Sequence, residues 1–380
     1  MTASVPRPTP EVEDAFRAEV RAWLAARTPF APLAIDDDER VAQLAAWQRD
    51  LFDAGYCGVS FPVEYGGRGL NPVFEAILME EMGAAGAPSA FHYGYVARVI
   101  YENGTPEQRE RYVRRALRGD DRWSQGFSEP DAGSDLAAVR TRAVLDGDHF
   151  VITGQKVWTS RAHWADFTFM LVRTGESDSR HRGLSTIIVP TRSSGLTIRP
   201  FRQMTGGLEF AELFLDEVRV PAENLVGPLH GGWAVAMSTV AYERGPSDVG
   251  RIADLRSRLG HLAADARDRH LPPSDPRAER LAAVHVDLEV LGHHVLRSLR
   301  DREGGHGDLS GTSVDKLLAT RTEQALAHLE LDLLGADALL GRRPGAAFEY
   351  LESRAASVYG GSTQIQLGIV ATRVLGLPRE

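Results

Sequence analysis

The chain has 380 residues, 43% of them hydrophobic and 25% charged, which excludes wholesale disorder and leaves room for two or three domains or one large assembly. Against 52 acidic residues stand 43 basic ones, and the net charge of -9 argues against a general polyanion-binding role. The only cysteine, Cys57, excludes an intramolecular disulfide and any cysteine-based metal site.

The first third predicts helices. Thr9-Pro10 supplies an N-cap and a first helical position, and Val12, Phe16, Val20, Trp23 and Leu24 follow on one face. A second helix carries Val41, Leu44, Trp47, Leu51 and Phe52 and stops at Gly55, and Phe74, Ile77, Leu78 and Met82 mark a third. Thr105-Pro106-Glu107-Gln108 is a capping box opening a helix through Tyr112, Val113 and Leu117 toward Gly119. The period then changes. Ala143 to Leu145, Asp146-Gly147-Asp148 and Phe150 to Ile152 read as strand, turn and strand. Phe167, Phe169 and Leu171 alternate, as do Leu213 and Leu215, and the Ile187 to Val189 run is stopped by Pro190. From Gly231 the pattern is helical again, through Leu317-Leu318, Leu329 to Leu334 and Ile365 to Leu375; Arg180 to Arg182 and His270 to Pro276 read as loops. The expected organisation is an N-terminal helical domain over 1–121, a central β domain over 122–227 and a C-terminal helical region over 228–380.

Several chemistries lack their motifs. No GxGxxG follows a predicted strand, and neither GxxxxGK[ST], GxSxG nor HExxH occurs, so nicotinamide, nucleotide-hydrolysis, serine-hydrolase and metal readings are all disfavoured. No apolar run reaches membrane-spanning length and Met1 to Pro10 carries no hydrophobic signal core, so the expected setting is the cytoplasm. Only Lys156 and Lys316 are lysines; the remaining 41 basic residues are scattered arginines, which reads as a codon bias rather than an anion-binding surface.

Two segments carry candidate chemistry. Gly126-Phe127-Ser128-Glu129-Pro130-Asp131-Ala132-Gly133-Ser134-Asp135 joins the first helices to the β region, and a loop of small residues presents N–H groups and hydroxyls without crowding a planar ligand. By composition alone, an interdomain turn explains it equally well. Gly154-Gln155-Lys156-Val157-Trp158-Thr159-Ser160 places an aromatic and two hydroxyls at a strand end, although a lone tryptophan is more often core than cofactor plate.

Together with FPVEYGGRGL, GTPEQRERYVRRALRGD, RPFRQMTGGLEFAELFLDEVRVPAENLVG and SRAASVYGGSTQIQLGIVATRVLGLP, these segments resemble the acyl-CoA dehydrogenase family in order and spacing over nearly the whole chain. The resemblance implies an α+β fold with an N-terminal helical domain, a central β-barrel-like domain and a C-terminal four-helix bundle. It also implies FAD between the β domain and the bundle, its adenine end reaching a neighbouring subunit of a homodimer or homotetramer. By the same resemblance Phe127 and Ser128 line the flavin and meet its pyrimidine edge, and Ser134 lies near the flavin or the pantetheine arm of the substrate. Trp158 packs near the isoalloxazine, Ser160 holds the place of the hydroxyl that bonds flavin N5, and Ser362 and Gln364 match a cofactor-touching C-terminal loop.

The expected reaction removes an α proton from an acyl thioester while the β hydride goes to flavin N5. Because the α C–H is a weak acid, a carboxylate must be held beside it and the carbonyl polarised. Many family members place that Glu immediately before the Gly-Thr/Ser turn of the C-terminal loop; here Gly360 stands there and cannot act as a base. A second family location, a Glu-Arg pair in the first long helix after the β domain, matches Glu243-Arg244. Trp233, Met237 and Val240 form an apolar stripe with Glu243 at its edge beside Ala236, a setting that can raise a carboxylate's pKa. A Glu-Arg pair is ordinarily a structural ion pair, but with Gly360 in the other position Glu243 is the expected base, with Ser134, Arg244 and Gly360 on the substrate side. Pro246 should kink or end that helix.

The leading expectation is an FAD-dependent acyl-CoA dehydrogenase that passes electrons to an electron-transfer flavoprotein, or to oxygen as in related oxidases. One alternative is oxidation of a carrier-protein-bound acyl, hydroxyacyl or aminoacyl thioester in a biosynthetic pathway. Another is a non-catalytic flavin-binding subunit of a hetero-oligomer.

Overall fold

Helices form where the sequence supplies caps and apolar rows, and the computed structural model describes residues 8–34, 36–88, 94–243, 246–303, 311–343 and 345–378, apart from the side chains of 241, 243, 246–248 and 300–303. Helix α1 (Pro10–Ala25) buries Phe16, Val20 and Leu24. Its apolar row is narrower than predicted: Val12 is exposed, and Trp23 lies half-buried under the Arg27 guanidinium, 3.8 Å from the ring centre. Helix α2 (Asp37–Asp53) is capped by Asp36, which accepts from the Glu39 N–H, and the chain turns at Gly55 with φ 76°. Helix α3 (Val73–Ala84) buries Phe74, Ile77, Leu78 and Met82. The sequence reading did not anticipate α4 (Gly94–Asn103). In α5 (Pro106–Arg118) both halves of the capping box form, Gln108 N–H to Thr105 Oγ1 at 3.3 Å and Thr105 N–H to Gln108 Oε1 at 3.0 Å. The Gln108 amide also donates to the carbonyls of Glu223 and Leu225, fastening α5 to the end of the sheet.

The β region is one mixed sheet of eight strands: β1 (Trp123–Gly126), β2 (Arg142–Asp146), β3 (His149–Ser160), β4 (Phe167–Arg173), β5 (Leu184–Pro190), β6 (Leu196–Phe201), β7 (Phe210–Pro221) and β8 (Leu225–Val226). The order is β6-β7-β3-β2-β4-β5-β8, with β1 parallel to the first half of β4. The predicted hairpin is β2–β3, closed by Gly147-Asp148 with Asp146 opposite His149. Twelve-residue β3 and β7 slip register twice, once with an extra residue on β7 near Glu217 (φ 51°) and once with an extra residue on β3 near Trp158. On one side of the sheet Phe150, Ile152, Met170, Ile187, Leu213 and Val218 form a core; another gathers Trp123, Phe169, Leu171 and Ile188 with residues of α2, α4 and α5. Each fully buried aliphatic side chain there contributes about 1.5–3 kcal/mol.

Helix α6 (Gly232–Glu243) follows the sheet, and α7 (Pro246–Asp268) starts at the proline itself, which needs no N–H partner in a first turn. Then come α8 (Pro276–Glu303), α9 (Gly311–Leu334), α10 (Ala336–Leu339), α11 (Ala346–Ala355) and α12 (Thr363–Ile369). Leu255, Leu259 and Leu262 of α7 meet Leu288 of α8 and Leu326 and Leu329 of α9. Helix α3 packs on α7 so closely that a Cβ at Gly83 would lie 2.5 Å from the Gly250 carbonyl oxygen, which excludes any side chain there.

Packing groups the chain into two compact units: residues 31–70 and 88–243 form one, and residues 1–30, 71–87 and 244–380 the other. The expected boundaries at 121/122 and 227/228 fall between α5 and β1 and between β8 and α6, so they separate elements along the chain. Packing instead assigns α2, α4, α5 and α6 to the unit of the sheet, and α1 and α3 to the unit of the C-terminal helices. Among the described residues no helix is long and apolar enough to cross a membrane.

Candidate functional site

The first candidate loop occupies a break along one edge of β4. Strand β1 ends with Gly126 opposite Met170, and β2 begins with Arg142 opposite Arg173, so residues 127–141 must leave the sheet and return within a short stretch of edge. Phe127 turns inward, its ring 6.2 Å from Phe169. Ser128 is half-buried and its carbonyl accepts the Val157 N–H at 3.0 Å, which lays the loop against β3. Glu129 and Ala132 exchange backbone hydrogen bonds across the turn. Ser134 is exposed, and its neighbour Asp135 is held by both terminal nitrogens of Arg180.

The second candidate segment is shaped by the β3 bulge. With one extra residue inserted between the Lys156–Leu213 and Thr159–Ala211 pairs, Trp158 adopts φ 58°. A left-handed conformation costs an L-residue about 1–2 kcal/mol, and such strain clusters at functional positions. Its result here is an indole 58% exposed, seated edge-on against Phe201 and Phe210 at 5.1 and 5.7 Å. Thr159 turns inward, fully buried, and its hydroxyl has no hydrogen-bond partner among the described residues; Ser160 turns outward and is exposed.

The structure therefore brings Ser128 and the strand bearing Trp158 and Ser160 together, beside a buried Phe127. A planar, acceptor-rich ring needs an aromatic plate and hydroxyl or N–H donors at its rim, and these residues fit a flavin. Two residues that the sequence reading passed over hold them. Lys156 is fully buried, and its Nζ donates to Glu129 Oε1 at 2.8 Å and to the Phe127 carbonyl at 3.1 Å. Glu129 also accepts the N–H groups of Arg140 (2.6 Å) and Thr141 (2.9 Å). Burial pulls the Lys156 ammonium down to about 8. Burial alone would raise Glu129, but Lys156 and the two N–H donors hold its carboxyl below the usual carboxylate range. The available signal was the use of lysine at two positions in a chain that otherwise uses arginine.

In the other compact unit the C-terminal loop makes a left-handed turn, Gly360 at φ 62° and Gly361 at φ 93°. A Cβ on Gly360 would meet Lys316 Cε and Nζ at 3.8 and 3.9 Å. The Lys316 ammonium lies 4.0 Å from the Tyr359 ring centre, and the charge of Arg251, itself paired with Glu323, acts on the Tyr359 hydroxyl. Burial raises the Tyr359 phenol above its ordinary value. Ser362 caps α12 by accepting the Ile365 N–H, and Gln364 is exposed. Buried Gln366, also passed over, donates to the carbonyls of Gly360 and Gly361 at 3.2 and 3.4 Å and so fixes the turn.

Glu243 is the last residue of α6; its side chain, and Arg244 altogether, lie outside the described residues. The apolar face of α6 differs from the predicted stripe. Val235, Ala236 and Thr239 are buried, while Trp233, Met237 and Val240 flank them half-buried.

Three family models match in chain order: "Acyl-CoA dehydrogenase, N-terminal domain" over residues 10–120, "Acyl-CoA dehydrogenase, middle domain" over 124–218 and "Acyl-CoA dehydrogenase, C-terminal domain" over 230–375. The acyl-CoA dehydrogenase IpdE1 of Mycobacterium tuberculosis is 39% identical, the match covering 97% of this chain and 99% of that protein. Among solved structures, a chain of the ChsE4-ChsE5 complex from Mycobacterium tuberculosis is 30% identical with a TM-score of 0.85, over 98% of this chain and 99% of that one. A chain of the Tcur3481-Tcur3483 steroid ACAD is 28% identical with a TM-score of 0.84, over the same shares.

Proposed function

The chain belongs to the acyl-CoA dehydrogenase family of flavoprotein oxidoreductases, and on that premise we propose that it binds FAD and desaturates an acyl-CoA thioester between its α and β carbons, with Glu243 as the base. The observation that carries the reading is the β3 bulge, which turns the Trp158 indole outward one residue after Val157, whose N–H bonds Ser128, and two residues before an exposed Ser160. FAD, when bound, supplies the oxidant for the hydrogen leaving the β carbon. Phe127, Ser128, Trp158 and Ser160 hold its ring, Ser362 and Gln364 belong to the C-terminal loop that touches it, and Ser134 and Arg244 serve the substrate.

The base assignment rests on two supports. Gly360 offers no acid–base group and sits at a φ that favours glycine. Helical register continues the α6 row of 232, 236 and 239 to position 243, the last residue of the helix. Glu243 takes the α proton, and hydrogen-bond donors at the thioester oxygen stabilise the charge that develops. The steroid ACAD relative and the missing side chain at 360 favour a bulky, ring-bearing acyl chain. Electron-transfer flavoprotein is the proposed acceptor.

A second reading has its own support: ChsE4-ChsE5 is a complex of two differently named chains, which favours a hetero-oligomer over a homo-oligomer for this chain. The test is anaerobic mixing of FAD-loaded protein, alone and co-purified with a homologous partner chain, with a panel of CoA- and carrier-protein-linked thioesters. Bleaching by a steroid-type acyl-CoA is expected. Bleaching by carrier-linked thioesters alone selects the carrier reading, and protein that takes up no FAD in either form defeats the proposal.

A further inference from the structure

The buried pair Lys156–Glu129 hydrogen-bonds to itself and to backbone groups, and it ties together the two segments assigned to the flavin ring. From β3 the ammonium reaches across to the Phe127 carbonyl and the Glu129 carboxylate of the loop, while that carboxylate gathers the N–H groups of Arg140 and Thr141 where the chain re-enters the sheet. One step further along each segment, the Val157 N–H donates to the Ser128 carbonyl. Loop and strand are thus stitched at 127, 128 and 129 on one side and 156 and 157 on the other, immediately before the bulge that turns Trp158 outward.

Fold stability gives little reason to keep such a pair. Removing two charges from water is costly, and a well-packed apolar pair of the same volume is often as stable or more so. Yet this chain places one of its two lysines here. An ammonium suits the site physically: it is compact, and Nζ reaches two oxygens from residues two apart in the loop. A planar guanidinium carries five donors in a fixed fork and would leave some of them buried and unmatched.

We propose that Lys156, acting through Glu129, is the positioning residue that sets the spacing between the 127–128 loop and the Trp158–Ser160 bulge, so that both engage one isoalloxazine ring. The inference rests on the flavin reading and adds to it a residue that the ring itself does not touch. The informative perturbation removes both charges together, because Lys156→Met alone strands a buried carboxylate. The double variant Lys156→Met/Glu129→Gln is therefore compared with wild type and with Glu129→Gln, which keeps the side-chain shape and serves alone if the double variant does not fold.

Three quantities are read: urea unfolding of the apoprotein, the FAD dissociation constant from quenching of flavin fluorescence, and the visible circular dichroism of the bound flavin. The expected result is an apoprotein midpoint close to wild type, an FAD dissociation constant raised at least tenfold, and an altered flavin dichroism. Wild-type affinity and an unchanged dichroic spectrum in the variant overturn the inference while leaving FAD binding intact. A loss of affinity matched by an equal loss of apoprotein stability, with the dichroism unchanged, also overturns it, because that is the signature of a fold-stabilising pair. Wild-type protein that takes up no FAD overturns the flavin reading and this inference with it.

Discussion

Replacing Trp158 separates a core tryptophan from a cofactor plate. The indole is 58% exposed and its packing is confined largely to two edge contacts, with Phe201 and Phe210. Such contacts are worth about 0.5–1.5 kcal/mol each beyond the area they bury, so truncation removes at least about 1–3 kcal/mol. At φ 58° the residue carries about 1–2 kcal/mol of left-handed strain that alanine keeps and glycine relieves. Glycine gives back about 0.5–1 kcal/mol through the greater entropy of its unfolded chain. Trp158→Gly should accordingly be more stable than Trp158→Ala by about 1 kcal/mol, the reverse of the usual order in a strand. Urea unfolding of the three apoproteins gives the order, and flavin fluorescence gives the FAD affinity, expected to fall at least tenfold in both variants. The opposite order, with Trp158→Ala the more stable, would contradict the left-handed backbone at this position. Unchanged FAD affinity would refute its role as a plate.

Three further outcomes follow. Gly360→Glu should fold with a loss of about 1–2 kcal/mol, the cost of an L-residue at this φ; its carboxylate should lie within reach of Lys316, and unchanged stability in urea would contradict the left-handed turn at 360. Burial pushes the half-buried Cys57 thiol up to about 12, and its Sγ donates to the Gln48 carbonyl at 3.6 Å, so folded protein at pH 8 should react with thiol reagents more slowly than protein in urea; equal rates would contradict the packing around it. Asp275 is held down to about 2 by the Arg277 side chain and N–H at the start of α8. A carboxyl depressed in the folded state stabilises fully above its unfolded value of about 4 and loses that contribution as pH falls from about 4 to about 2. The stability difference between wild type and Asp275→Asn should therefore be present at pH 5 and gone by pH 2, and a constant difference would contradict the pairing.

What could be read in the sequence follows from how local each feature is. The Thr105–Gln108 box and the Gly147-Asp148 hairpin depend on neighbours three or four residues away, and both form as expected. Val12 was misplaced because α1 buries only a narrow row, a choice made by what packs against it. The left-handed backbone of Trp158 was not legible, because it comes from a register slip against β7, more than fifty residues on. Lys156 and Glu129 each resemble a surface charge and become a buried pair only when the loop folds back on β3. Gln366 looked like any polar helix residue until the Gly360 turn put two carbonyls within its reach. Motif order was enough to point to the family. The devices that hold the motifs in place are tertiary.

The central claim is desaturation with Glu243 as the base. Its most direct test is the rate of anaerobic flavin bleaching by an acyl-CoA substrate in FAD-loaded wild type and Glu243→Gln. A positioned general base is worth about 10²–10⁴-fold, so the variant should bind FAD as wild type does and bleach slower by that factor. Equal rates in the two proteins would contradict the account.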